Sequence, residues 1–367
     1  MMSRIERKHR LSFQPAAGSR RDGYCARRGH ARGFGIVELM IAMALGAVIL
    51  LAVSELFLSN TRSRAEIEKS GRQMENGRFV LQMLADEIGN AGFAGESGGF
   101  LEENDEGSDD EEGEQGAAVA SAAAGAGPRV CAGTGASSEV LVALSAPVFG
   151  GTGDPGCLAN SSVTPKDESQ YIALRRASSV ACPPDACDQR REAYFLQVGS
   201  RERGGVFERE VARRANVKTE LTLITSNNTL APIYPFLSRI YFVNNAGVLY
   251  RQELLDDGGP KYQRVPMVEG IEHVAFEYGL DETGDGVPDA YKSASGMEGS
   301  LWRDVTAVRV WVLARNLEPT PGYQDDNTYQ LGDGSSAVTV KVEAGFTAHK
   351  RQVYSTTVRV NNVAGRP

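Results

Sequence analysis

Histidine is scarce in this chain. There are four in 367 residues, and beyond residue 33 only His273 and His349 remain. Each lies in or beside a strand-like run and is expected to be half-buried or on the surface. Imidazole is the usual general acid–base group and a common zinc ligand, so this scarcity narrows both chemistries. No nucleophile elbow, phosphate loop or His-Glu-x-x-His segment is found. Carboxylates abound, but they cluster in a charged linker and in one turn-like loop, where solvation or a metal accounts for them. No enzyme is expected. Paired Cys-x-x-Cys knuckles are missing too, which counts against zinc. Residues 96–128 contain ten acids and no Lys or Arg, so this stretch can bury nothing and repels itself. A solvated linker is expected there, and a calcium-collecting or partner-binding tail is its rival.

Charge is also missing from residues 34–53, where Glu38 is the single ionisable group in twenty residues. A helix of that length spans roughly 30 Å, the thickness of a bilayer's hydrocarbon core. Glu38 would cost roughly 2.5–3.5 kcal/mol at the bilayer centre, so something should offset it. Residues 1–33 hold nine Lys/Arg and two acids. Taken from the totals of 39 and 47, they leave 30 basic and 45 acidic residues, a charge of −15 on the remainder. A basic flank before the span places the acidic body outside the cytoplasm. An acidic body argues against a non-specific nucleic-acid binder. An ordinary signal peptide fits poorly. No apolar core precedes Gly33, and Ser54-Glu55-Leu56-Phe57 continues the helix where a small-x-small site would fall.

The segment Gly33-Phe34-Gly35-Ile36-Val37-Glu38-Leu39-Met40-Ile41 resembles the class III signal of type IV prepilins and pseudopilins. The resemblance implies cleavage between Gly33 and Phe34 by a membrane prepilin peptidase, followed by methylation of the new Phe34 amine. It also implies that Glu38 pairs with a subunit's N-terminal amine during assembly. Gly35 departs from the usual Thr or Ser.

Beyond the apolar run the helical pattern turns amphipathic, with Ile67, Met74, Phe79, Leu81, Met83, Leu84 and Ile88 among charged residues. Gly71 and Gly77 are weak points, each worth about 1 kcal/mol against alanine. Breakers at Gly89, Asn90, Gly92 and Gly95 end the helix. The expected organisation is a basic leader, 1–33; a membrane half of the helix, 34–58; an amphipathic half, 59–92; an acidic and Ala/Gly-rich linker, 93–128; and a β-rich domain, 129–367. Candidate strands are 140–144, 171–174, 193–198, 206–211, 239–244, 248–253, 271–278, 305–313, 337–342 and 353–360. Asn245 and Gly247 mark a hairpin turn. Strands without long intervening helices predict an α+β fold, a long N-terminal helix on an antiparallel sheet.

Cys25 lies in the leader, and Cys131, Cys157, Cys182 and Cys187 lie in the body. An even number in an exported domain reads as two disulfides with three connectivities. Cys182 and Cys187 could close a short loop, leaving Cys131 to Cys157 as the natural second pair. The loop 281–289 supplies oxygens from Asp281, Thr283, Asp285 and Asp289, with the Val287 carbonyl and a glycine at Gly286. This matches the first part of a calcium loop, although Lys292 stands where a bidentate Glu is usual. An Asp/Gly turn between strands is the alternative.

Gly77-Arg78-Phe79-Val80-Leu81 with Ala91-Gly92-Phe93, and Trp302-Arg303-Asp304-Val305 through Arg315, resemble PilW-type minor pilins of the type IV pilus. So do Gly322-Tyr323 and Arg351-Gln352-Val353-Tyr354-Ser355-Thr356. Residues 96–235 match poorly. The resemblance implies a pilin-like fold, no catalytic act, and a part in initiating the pilus and forming its tip. It implies a single pass in the inner membrane with a periplasmic domain, then a place in the fibre. Partners would be other minor pilins, the major pilin, the inner-membrane assembly platform and a large tip adhesin. An Asp-rich loop after such a strand is common in that family. A minor pseudopilin of type II secretion and a pilus-borne adhesin are the alternatives.

Overall fold

The computed structural model describes residues 33, 35–95, 129–134, 138–157, 163–203, 206–225 and 227–364. The expected leader, Phe34 and most of the expected linker lie outside them. The chain divides into two compact units, Met1–Thr61 and Arg62–Pro367.

Helix α1 runs from Ile36 to Gly89 without interruption. In the first unit its side chains are exposed almost all round, including Ile36, Leu39, Met43, Leu45, Ile49, Leu50 and Phe57. Two of its hydroxyl residues there turn back onto the helix: Ser54 Oγ donates to the Leu50 carbonyl and Thr61 Oγ1 to that of Phe57. This is the helix long and apolar enough to cross a membrane.

In the second unit one face of α1 is buried, marked by Gln73, Gly77, Val80, Leu84 and Ile88. That spacing follows the 3.6-residue period. Two sheets receive it. The first has seven strands: β1 (Val148–Thr152), β2 (Gln170–Ala177), β3 (Tyr194–Arg203), β4 (Val206–Arg213), β5 (Ile233–Val243), β6 (Val248–Asp256) and β7 (Pro260–Glu269). Their order is β1-β2-β5-β3-β4, and β6 also pairs with β5 and carries β7 outside it. The second sheet has β8 (Ile271–Leu280), β9 (Ala290–Ser293), β10 (Val305–Arg315) and β13 (Arg351–Arg359), in the order β13-β10-β8-β9. A separate hairpin joins β11 (Thr328–Leu331) to β12 (Val338–Lys341). Among the described residues the paired strands all run antiparallel.

Strand alternation sorts the cores. Val308, Val310 and Val312 of β10 join Val274, Phe276 and Tyr278 of β8, Ile172 and Leu174 of β2, and Val80, Leu84 and Ile88 of α1 in one cluster. The opposite face of β10 sends Trp311 and Leu313 toward Leu331 and Val340 of the small hairpin. Ala173, Ile240, Phe242 and Leu254 lie on the other face of the seven-stranded sheet, under Val140 and Leu144. Burying each of these large apolar side chains contributes roughly 1.5–3 kcal/mol.

Several expectations need correction. Residues 140–144 are not a strand but part of helix α2, Ser138–Ser145. A run as short as Val140-Leu141-Val142-Ala143-Leu144 is apolar whichever way it folds, and only the sheet beneath it selects the helix. Strands β1, β7, β9 and β11 fall outside the expected set. β1 contains Gly150 and Gly151, and β7 contains Pro260 and Pro266, all residues that lower strand propensity. β7 is an edge strand, where proline is tolerated. The β5–β6 hairpin turns at 244–247, with Gly247 at φ 78°.

Candidate assembly helix and aspartate loop

Glu38 lies in the first turn of α1 and is exposed, as are the apolar residues that follow it. Gly33 is the last described residue before it, and Phe34 lies outside the described residues. A carboxylate at the start of a helix is favoured by the N-terminal end of the macrodipole. The apolar run beyond it has no cover among the described residues.

The second half of α1 is fastened to the β domain by groups at both ends. Gln73 Nε2 donates to the carbonyls of Ala314 (2.7 Å) and Lys350 (3.2 Å). The Thr320 hydroxyl, 2.8 Å from Glu66 Oε2, leads in holding the Glu66 carboxyl below its ordinary pKa, with Lys350 and Lys69 assisting. At the far end Asn361 Nδ2 donates to the Gly89 carbonyl (3.0 Å) and Asn362 Nδ2 to that of Ala91 (3.1 Å). These satisfy carbonyls that a helix end leaves without partners. Between them, Gly77 lets the Tyr354 ring approach so closely that an added Cβ would lie 2.5 Å from it. Glu87 meets Arg239 at 2.6 Å, and Arg239 also holds Glu253 at 2.7 Å.

The loop 281–289 folds around its own carboxylates. Asp281 Oδ1 accepts the N–H of Gly284 (2.7 Å) and Asp285 (3.2 Å), and its Oδ2 accepts that of Gly286 (2.6 Å). Desolvation pushes the Asp281 pKa up, but the three N–H groups together outweigh it and leave the carboxyl below its ordinary value. Asp289 Oδ2 accepts from Glu282 and Thr283 N–H, and Asp285 Oδ1 from Val287 N–H. Thr283 Oγ1 sits 3.4 Å from Asp281 Oδ1 and 3.3 Å from Asp289 Oδ2, so three of the expected oxygens converge. Gly284 and Gly286 both have φ 79°, the left-handed conformation this turn requires. No group of three His, Cys, Asp or Glu side chains suited to a metal is found among the described residues. Two aspartates and a hydroxyl, with a carbonyl and water, would form the donor set for a hard cation here.

The cysteines pair as Cys131–Cys157 and Cys182–Cys187. The second lies in a small core with Phe195, Ala212, Val217, Leu221 and Ile233.

His273 and His349 are both buried, at 2% and 8% exposure, rather than half-buried or on the surface. Burial drives the His273 pKa down to about 3, with Lys166 adding to the effect. His349 Nδ1 lies 2.7 Å from the Asn316 carbonyl. Two buried cations escaped the sequence reading. Arg351 holds Glu272 (2.5 Å) and Asp325 (3.1 Å) inside the domain. Arg175 is fully buried, and among the described residues no carboxylate lies against it. It donates to the carbonyls of Ala143, Ala146, Arg129 and Val130. A basic residue in an alternating strand reads as solvent-facing, so the sequence held no signal for either.

Residues 240–362 match the PilW family, described as type IV pilus-assembly protein W, and residues 28–54 match the prokaryotic N-terminal methylation motif. A type IV-like pilin from Thermus thermophilus aligns over 55% of this chain and 83% of its own, at 14% identity and a TM-score of 0.29. No curated protein matches the chain. The exposed apolar helix, the methylation motif and the β-rich domain behind them define a type IV pilin-like protein. Its C-terminal region, residues 240–362, is similar to the PilW family.

Proposed function

We propose that this chain is a minor pilin that takes part in initiating type IV pilus assembly and in the pilus tip complex, supporting twitching motility and surface attachment. The PilW match over 240–362 carries this reading, because the methylation motif alone is shared with pseudopilins. On this reading a prepilin peptidase cuts between Gly33 and Phe34, and the Phe34 amine is methylated. The chain waits as a single-pass protein of the inner membrane, with its acidic domain in the periplasm. The assembly platform then moves it into the fibre, where neighbouring pilin helices replace lipid around residues 36–53. Glu38 meets a subunit's N-terminal amine there, which removes the cost of an unpaired carboxylate among apolar groups. Other minor pilins, the major pilin and a large tip adhesin are the partners.

The proposal includes calcium in the loop 281–289, bound by Asp281, Thr283, Asp285, the Val287 carbonyl and Asp289. The convergence of the Thr283 hydroxyl with two aspartates supports it.

A clean deletion, complemented and scored for sheared pili, twitching and secreted enzymes, tests the function. Lost pili with normal secretion is the expected result. Lost secretion with normal pili would make the chain a minor pseudopilin of type II secretion, and no change in either would favour an adhesin carried on the fibre.

A further inference from the structure

Sheet edges are open templates for pairing, and proteins usually blunt them with short strands, proline, lysine or bulges. In this domain most edges follow that practice. β1 and β9 have five and four residues. β7 carries Pro260, Lys261 and Pro266, with a register shift opposite it at Leu249/Tyr250. β4 faces a shift between Val198 and Glu202 and carries Glu208, Arg209 and Glu210.

β13 carries none of these devices. It pairs with β10 over nine residues, Arg351 to Arg359, in unbroken register. The Lys350 carbonyl accepts from Asn316 N–H and Val360 N–H donates to the Thr306 carbonyl, so the even-numbered backbone groups face β10. The odd-numbered groups face the other way, because hydrogen-bonding directions alternate along an antiparallel strand. Among the described residues no strand lies on that side of β13, so the N–H and C=O of Val353, Ser355 and Thr357 have no ladder partner. Val353-Tyr354-Ser355-Thr356-Thr357-Val358 is rich in β-branched and aromatic residues, with neither Pro nor Lys. The strand is held rigid from behind, since Tyr354 lies against Gly77 of α1.

Charge indicates the occupant. Residues 350–360 contain no acid; of their cations Arg351 is buried against Glu272 and Asp325 and Lys350 meets Glu66, which leaves Arg359 without a carboxylate among the described residues. Among the described residues Arg359 Nη2 meets the carbonyls of Gly286 and Ala364, and the exposed Arg78, next to Gly77 on α1, has no ion pair. A second copy of this strand, which contains no acid, would bring these two arginines no partner.

We propose that the open edge of β13 accepts an extended strand from another polypeptide, one that carries carboxylates and adds to the second sheet beside Val353, Ser355 and Thr357. Main-chain hydrogen bonds supply affinity in this mode of recognition, and flanking side chains supply selectivity.

The probes are two synthetic peptides of alternating Thr and Val, one with Glu at both ends and one with Lys. Each is added to the full chain in detergent micelles, and amide hydrogen exchange is followed. The amides of Val353, Ser355 and Thr357 should exchange freely in the chain alone and become protected by the Glu peptide. The Lys peptide should bind several-fold more weakly, in keeping with one or two cross-strand charge pairs. Ser355→Pro removes an outward N–H and should abolish protection without unfolding the sheet. Thr357→Glu, which keeps the backbone intact, should shift the preference toward the Lys peptide. Protection of these amides in the chain alone, equal binding of both peptides, or protection by self-association only would each overturn the proposal.

Discussion

A buried histidine with no carboxylate partner among the described residues sets a pH limit on this domain. His273 has its pKa driven from the ordinary value near 6.5 to about 3 by burial first and Lys166 second. Between those values the unfolded chain takes up a proton that the folded chain refuses. Stability is therefore full above about pH 6.5 and falls as the pH drops toward 3, by up to about 1.4 kcal/mol per pH unit. Denaturant unfolding of wild type and His273→Gln at pH 7 and pH 4 checks this, and the variant should show the shallower loss. Arg175 poses a different residue-scale problem. Its guanidinium gathers carbonyls from α2 and from Arg129 and Val130. Arg175→Met fills the space but leaves buried acceptors unpaired, at about 1–3 kcal/mol. The expected outcome is faster amide exchange across 138–145, with β8 and β10 unchanged.

At the scale of elements, the two helix glycines that look alike in sequence behave differently. An added Cβ at Gly77 would collide with the Tyr354 ring, whereas at Gly71 it meets nothing within 4 Å. Gly77→Ala should cost about 1–3 kcal/mol through overpacking, and Tyr354→Ser should remove most of that cost. Gly71→Ala should be neutral or stabilise by up to about 1 kcal/mol. Thermal unfolding of the four proteins separates these outcomes. The loop 281–289 is tested in the same way: millimolar calcium should raise the melting temperature over chelator, and Asp285→Ala should erase the difference. Equal melting in both conditions would leave a plain aspartate turn. The disulfides should also differ. Cys131 and Cys157 are 26 residues apart and Cys182 and Cys187 five. Chain-entropy reasoning then assigns about 3.5 kcal/mol to the first and about 2 kcal/mol to the second. Paired Cys→Ala variants should show that order.

At the scale of the whole molecule, variants of Glu38 and Gly33 test assembly and processing separately. Glu38→Ala should be cleaved normally yet be absent from sheared fibres, and normal incorporation would remove the pairing role. A Gly33 variant should keep its leader, and N-terminal sequencing that begins at Phe34 would contradict the cleavage site.

Much of this was legible along the chain, because the rules involved are local. Twenty apolar residues make a span, an interrupted 3.6-residue period ends where glycines gather, and alternating Val308-Arg309-Val310-Trp311-Val312 makes a strand whichever neighbour it meets. The sequence by itself determined the long helix, the methylation motif at its N-terminal end and the antiparallel β domain. Tertiary structure alone decided that 140–144 coils into α2, that β1 and β7 pair despite glycine and proline, and that Gly77 must stay small beneath Tyr354. It also decided that Arg175, Arg351, His273 and His349 are interior and that β13 is left with an unpaired edge. Each of these depends on which groups distant segments bring together, and such contacts leave no period or motif in the residues on either side.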